Sequence, residues 1–273
     1  MTYDFDPLNR LCKAINESPF GLITDFDGTI SRISPTPYQA KVSSLCHRYL
    51  TQLQDKISLV AVMSGRPAAV VRGMVGIDGI VYIGSHGMER WVVDHPEPSA
   101  ETSPYIPVIK SVIQEVTPRL SRLQGIVIED KGPSVTFHYR QSPEPEAAEE
   151  SILSTVEETE AANGFRVMLS KMAVELLPPL NVNKGTATLE LIREYRLKGV
   201  MYLGDDITDM DAFNAVHAAS SLGCMGIAIG VTGRGKPSSL AAAADFTLEG
   251  VRDVERFLKW LLQNVPQSNP PRH

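Results

Sequence analysis

The sequence predicts an α/β fold, a Rossmann-like parallel-sheet core domain interrupted by an inserted α+β domain. Short apolar runs that stop abruptly at polar, glycine-containing turns recur along the chain, which is how strands buried on both faces read. Helical stretches alternate with them. Between residues 104 and 180 the order changes to helix, strand, strand, helix, strand, strand, which suits a separate antiparallel unit.

The first buried run, residues 20–24, ends at Asp25-Phe26-Asp27-Gly28-Thr29, and a helix is expected over 37–54. A second run, 57–63, stops at Ser64-Gly65-Arg66, where Pro67 suits the first turn of a helix. Residues 81–87 repeat the arrangement of strand and glycine turn. Past Pro96-Glu97-Pro98-Ser99 a helix is expected over 106–123, kinked at Pro118. Two strands, 126–129 and 134–140, follow around a Lys131-Gly132-Pro133 turn. An acidic helix, 144–162, leads to a second strand pair, 164–169 and 172–177, closed by Pro178-Pro179. The core then resumes with a helix over 187–195 and a buried strand over 200–204, and 264–273 reads as a polar tail. The expected division is therefore a core from 1–103 and 181–273, and an insert from 104–180.

The 273 residues are 43% apolar and 21% charged with a net charge of -6, which suits a chain with a proper core and excludes disordered, collagen-like and disulfide-scaffold classes. No apolar run approaches the roughly 18 residues that span a bilayer, and Met1-Thr2-Tyr3-Asp4-Phe5-Asp6 lacks the basic and apolar regions of a signal peptide. The three cysteines, Cys12, Cys46 and Cys224, form no Cys-x-x-Cys pair. A cytoplasmic, monomeric protein without a membrane or nucleic-acid partner is expected. An acidic chain gains no counterion release on a polynucleotide, but it can hold a small anion in a local pocket.

The chemistry gathers where the runs end. Asp25 and Asp27 lie two apart at a strand end, where both can face the same side while Phe26 turns into the packing. Carboxylates that close raise each other's pKa unless a cation sits between them. Mg²⁺, which takes a few carboxylate oxygens together with phosphate and water, is the natural third party. Gly28 lets the backbone turn tightly and aim N–H groups at an anion. An isolated Asp-Gly is usually only a turn, but the full Asp-x-Asp-Gly-Thr pattern arises by chance at roughly 10⁻⁵ per position.

Ser64 and Gly65, at the opening of a helix, can offer a hydroxyl and backbone N–H groups to phosphate, although Ser-Gly-Arg is also an ordinary helix entry. Lys184 can place an ammonium at the same level. Asp205, Asp206 and Asp209 put three carboxylates within five residues, more than a helix cap requires. His86 and His138 have no partner at metal-ligand spacing, so structural or substrate contacts suit them better than zinc.

These stations together resemble the haloacid dehalogenase superfamily, and the insert resembles the cap of its type IIB branch. Ser64-Gly65-Arg66, His86-Gly87-Met88-Glu89 and Gly204-Asp205-Asp206-Ile207-Thr208-Asp209 are similar, more narrowly, to the trehalose-6-phosphate phosphatase family. The resemblance implies a Mg²⁺-dependent phosphatase in which Asp25 forms an aspartyl-phosphate and Asp27 serves as acid and then base. Lys184, Ser64, Gly65 and Gly28 would hold the phosphate. The metal would lie at Asp25, the Asp27 carbonyl and Asp205, with Asp206 a further candidate ligand and Asp209 behind them. Arg66 and His86 would bind the substrate, and Glu129, Lys131, Arg140, Lys171 and Glu175 would contact its sugar, under a cap that closes over it. Where the family motif commonly continues with Glu-Asp, Met210-Asp211 stands here. Other sugar phosphates, phosphosugar mutase activity and a non-catalytic regulator on the same scaffold compete with this assignment. The regulator is expected to have lost Asp25 or Asp27, and both are present.

Overall fold

The computed structural model describes residues 7–32, 40–170, 172–233 and 235–266. The expectations for Lys171, for residue 37 as a helix start, for 1–6 and for 267–273 lie outside the described residues. In chain order the elements are α1 (Pro7–Asn16), β1 (Phe20–Asp25), α2 (Ser44–Leu53), β2 (Leu59–Met63), α3 (Ala68–Val75), β3 (Val81–Gly84), β4 (Glu89–Val92) and β5 (His95–Pro98). Then come α4 (Ile106–Leu120), β6 (Val127–Asp130), β7 (Val135–His138), α5 (Pro145–Glu157), β8 (Arg166–Ser170) and β9 (Ala173–Leu177). The chain continues through α6 (Lys184–Glu194), β10 (Gly199–Gly204), α7 (Asp209–Ala218), β11 (Met225–Thr232), α8 (Ser238–Ala243), β12 (Phe246–Glu249) and α9 (Gly250–Asn264).

Two compact units result, one from Met1–Pro96 with Val182–His273, the other Glu97–Asn181. The first is built on an eight-stranded sheet of order β12-β11-β10-β1-β2-β3-β4-β5. It is parallel from β12 to β3, and β4 then pairs antiparallel with β3. Alternation along each strand sends side chains to two separate cores. Leu22, Val60, Val62, Met201, Leu203, Ile227 and Ile229 pack beneath residues of α2, α3 and α9. Ile23, Ala61, Met63, Val200, Tyr202 and Ala228 pack on the other face beneath α6, α7 and α8. β1, β2 and β10 are buried along their whole length because both faces of the sheet are covered there.

The second unit carries a four-stranded antiparallel sheet of order β6-β7-β9-β8, so the two expected hairpins join through β7 and β9. Val135, Phe137, Val174 and Leu176 face α4 and α5, where Ile109, Val112, Val116 and Ile152 complete a core. Pro118 lies inside α4.

Several expected boundaries move, among them the end of the helix read over 144–162, which stops at Glu157. The helix read over 37–54 begins only at Ser44, because Val42 is drawn into a bridge with Ser31. The helix expected from 187 begins at Lys184, where the Asn183 side chain accepts from the Thr186 amide and the Thr186 hydroxyl bonds back, a reciprocal cap. The insert begins at Glu97 rather than 104. No helix among the described residues is long and apolar enough to cross a membrane.

Candidate active site

Parallel pairing brings the carboxyl ends of β1, β2 and β10 to one edge, since Asp25 lies opposite Met63 and Thr24 opposite Leu203. The residues just beyond those ends share that edge, as ligand sites of open α/β sheets do. Asp25 is 5% exposed, and its Oδ1 accepts from Lys184 Nζ at 2.7 Å. The same ammonium, at the first turn of α6, donates to Asp209 Oδ1 at 2.7 Å. Asp209 is fully enclosed and committed on every side. Its Oδ1 also accepts from the Tyr202 hydroxyl at 2.8 Å, and its Oδ2 accepts from the Asp205 and Asp206 amides at 2.8 and 3.0 Å.

Asp25, Asp205 and Asp209 offer oxygens within 4.8 Å of one another. Asp206 is not in that group. Its side chain is exposed, and its Oδ1 accepts from the Ile207 amide at 2.7 Å. Asp205 Oδ1 accepts from Thr29 Oγ1 at 3.3 Å, while Lys236 Nζ lies 3.3 Å from Asp205 Oδ2 and donates to the Gly28 carbonyl at 2.8 Å. Gly28 has φ +76°, and a Cβ there would stand 2.1 Å from Asp205 Oδ2, so only glycine fits.

Burial pushes the Asp25 carboxyl well above its usual range; Lys184 opposes this while Asp209 and Asp205 add to it. Asp205 is pushed up to about 6, chiefly by burial, with Lys236 opposing and Asp209 adding. Burial disfavours the charged form of Lys184, yet Asp209 and Asp25 outweigh it and hold the ammonium charged. Two buried carboxylates that resist ionising side by side suit a divalent cation, which favours both charged forms. The donor set is oxygen only, which suits a hard divalent cation.

Around this centre Ser64, 1% exposed, accepts from the Arg66 amide at 3.1 Å. Arg66 does not reach away from the carboxylates. Its Nε lies 2.6 Å from Asp27 Oδ2 and its terminal nitrogen 2.8 Å from Asp27 Oδ1. The His86 ring covers Gly65, where a Cβ would stand 2.5 Å from Nε2. The loop is tied to the Ser64–Arg66 turn by His86 N donating to the Ser64 carbonyl and Ser85 N donating to the Arg66 carbonyl. Glu89, 8% exposed, accepts from the Ala68 amide at 2.7 Å and from the Ser85 hydroxyl at 2.9 Å.

In the second unit, Glu129, Thr136 and Glu175 stand opposite one another across β6, β7 and β9. Glu175, 3% exposed, pairs with Lys131 Nζ at 3.0 Å and accepts from Ser134 Oγ at 3.3 Å. Glu129 Oε2 lies 2.8 Å from His138 Nε2. Arg140 is exposed just past β7. Among the described residues, the buried Thr136 hydroxyl at the centre of this face meets no hydrogen-bond partner.

A family model described as trehalose-phosphatase matches residues 23–248. The chain belongs to that family. A trehalose-phosphate phosphatase of Mycobacterium marinum is 34% identical over 241 residues, 85% of this chain and 59% of that protein. The chain thus spans about three fifths of the length of such curated relatives. The C-terminal domain of Candida albicans trehalose-6-phosphate phosphatase superposes with a TM-score of 0.74 at 22% identity, over 96% of this chain and 98% of that one. The Aspergillus fumigatus trehalose-6-phosphate phosphatase superposes at 0.63 with 27% identity, over 96% and 99%. These likenesses agree with the α/β class expected from the sequence. Lys236 and Tyr202 touch the acidic cluster without any mark in the sequence, and Thr29 and Glu89 stand in motifs whose spacing gives them no role of their own. Lys236 sits among Gly233, Gly235 and Pro237, where nothing in the spacing marks it.

Proposed function

We propose that the chain is a Mg²⁺-dependent phosphatase of the haloacid dehalogenase type that converts trehalose 6-phosphate to trehalose and phosphate. The observation that carries this is the buried Asp25–Lys184–Asp209 chain, with Asp27 two residues beyond the nucleophile. Family membership supports the substrate.

Asp25 Oδ attacks phosphorus, the bond from phosphorus to the sugar oxygen breaks, and Asp27 protonates that oxygen. Water then attacks the aspartyl-phosphate, Asp27 takes its proton, and the bond between Asp25 and phosphorus breaks to release phosphate. A phosphate dianion presents Arg66 with the same two-oxygen edge that the Asp27 carboxylate does. Substrate therefore frees Asp27 for proton transfer. Lys184 and Ser64, with the amides of Gly28 and Gly65, hold the phosphoryl oxygens. Asp25, the Asp27 carbonyl and Asp205 would hold Mg²⁺, with Asp206 and Asp209 placed to support them. When bound, the cation neutralises charge on the transferring group.

Glu129, Lys131, Arg140, Lys171 and Glu175 are assigned to the sugar, and His86 to the substrate; for the second unit, the polar sheet face and the Thr136 hydroxyl support this. Three free cysteines support a cytoplasmic protein and a net charge of -6 supports a small-molecule substrate rather than nucleic acid; the chain is proposed to act as a monomer. The test is phosphate release from a panel of sugar phosphates. Trehalose 6-phosphate is expected to be the best substrate, with turnover abolished by Asp25→Asn in a folded protein and by excess chelator. Full activity of Asp25→Asn overturns the covalent route, and full activity in chelator overturns the metal assignment.

A further inference from the structure

Three carboxylates, Asp25, Asp205 and Asp209, meet two ammonium groups at the edge of the sheet. The two lysines differ in how they are held. Lys184 is locked, its side chain 3% exposed and its Nζ fixed at 2.7 Å to both Asp25 and Asp209. Lys236 has a longer carboxylate contact, 3.3 Å to Asp205 Oδ2, with its 2.8 Å bond going instead to the Gly28 carbonyl; its side chain is 10% exposed and it lies between β11 and α8.

We propose that Lys236 is a tethered cation that neutralises Asp205 in competition with the divalent ion and withdraws from that carboxylate when the ion binds. This rests on the cation assignment in the proposed function. Asp209 has no free oxygen to give, because four donors already converge on it. An ion must therefore take its carboxylate oxygens from Asp25 and Asp205. On Asp25 one oxygen belongs to Lys184. On Asp205 the Oδ2 position belongs to Lys236, whose positive charge repels a divalent ion placed a few ångströms away. Lys184 cannot yield without stripping Asp209 of a buried counter-charge, which is costly. Lys236 can, because its long side chain swings on a loop. Its ammonium offsets the charge of the acidic edge before the ion arrives.

The experiment is titration calorimetry with Mg²⁺ on the wild type, Lys236→Gln, which keeps a donor for the Gly28 carbonyl without the charge, and Lys236→Arg, which keeps the charge. Lys236→Gln is expected to bind Mg²⁺ about tenfold more tightly or better, and Lys236→Arg to match the wild type. Thermal melting gives an independent readout. Lys236→Gln is expected to melt lower than wild type in chelator, and the deficit is expected to close at saturating Mg²⁺. Equal or weaker Mg²⁺ binding by Lys236→Gln, or a melting deficit that saturating Mg²⁺ leaves in place, overturns the role of Lys236. Where the wild type binds the ion, those outcomes leave the metal site standing. Binding by none of the three proteins overturns both.

Discussion

Arg66 grips both carboxylate oxygens of Asp27, at 2.6 and 2.8 Å, across 39 residues of sequence. The guanidinium carbon also lies 5.9 Å from the centre of the Phe26 ring, so the planar group is held from its side as well as its edge. A lysine supplies the charge but neither the fork nor the flat face. Arg66→Lys is therefore expected to lower kcat/KM for trehalose 6-phosphate by about 10 to 10². KM should rise more than kcat falls, because the group is offered to the phosphate at binding. An unchanged KM in steady-state kinetics separates Arg66 from the substrate.

Glu89 holds that arginine in place without touching Asp27. Its carboxylate binds the Ala68 amide at the first turn of α3 and the Ser85 hydroxyl, and Ser85 in turn donates to the Arg66 carbonyl. Glu89→Ala orphans two buried donors, at a cost of about 1–3 kcal/mol each, and lets the Ser64–Arg66 turn drift. The expected result is a lower melting temperature together with a raised KM. Glu89→Gln, whose amide oxygen accepts both bonds, is expected to recover KM. If Glu89→Ala melts early yet keeps a wild-type KM, Glu89 supports the fold alone.

The strand ends were legible in the sequence because an apolar run cannot continue into Asp25 or Asp205 without burying unpaired charge. That placed Asp25, Ser64 and Asp205 on one edge before any coordinates. The strand over Met225–Thr232 was not legible, because Gly226 and Gly230 dilute its apolar pattern. The strands Glu89–Val92 and His95–Pro98 were equally hidden, since the first is only partly buried and the second is exposed and carries Pro96 and Pro98. In the site, the motif residues announced themselves by spacing. Lys236 and the pairing of Arg66 with Asp27 did not, because both depend on which loops the sheet order brings together, and periodicity carries no information about that.

Asp205 makes stability depend on pH in a direction set by its burial. Its pKa moves from 3.8 to about 6, chiefly through desolvation, with Lys236 opposing. Between those values the folded chain holds a proton that the unfolded chain has released, so stability falls as pH rises through the window. The loss is absent below pH 3.8, complete above about 6, and amounts to at most about 3 kcal/mol. Denaturant melts in chelator from pH 4.5 to 7 should show this decline, and Asp205→Asn should flatten it, leaving the part due to Asp25. Saturating Mg²⁺ should remove most of the decline in the wild type, because it favours the charged carboxylates. Parallel pH profiles for wild type and Asp205→Asn in chelator would contradict this.

Glu175 carries the sugar assignment into a measurable form. Its carboxylate is buried against Lys131 and Ser134 and lies across the sheet from Thr136, whose hydroxyl has no partner among the described residues. Charged groups of this kind make strong hydrogen bonds to sugar hydroxyls. Contacts to the non-reacting part of a substrate are used to lower the barrier, so their loss reduces kcat/KM. Glu175→Ala is expected to cut kcat/KM for trehalose 6-phosphate by about 10² or more, while cleavage of a small generic phosphate ester changes far less. The same substitution strands the Lys131 ammonium, 8% exposed, so some loss of stability of the second unit accompanies it. Glu175→Gln keeps the volume and one acceptor, and is expected to lie between wild type and Glu175→Ala on the disaccharide phosphate. Equal losses on both substrates point to damage in the catalytic unit, and no loss on either removes Glu175 from the sugar site.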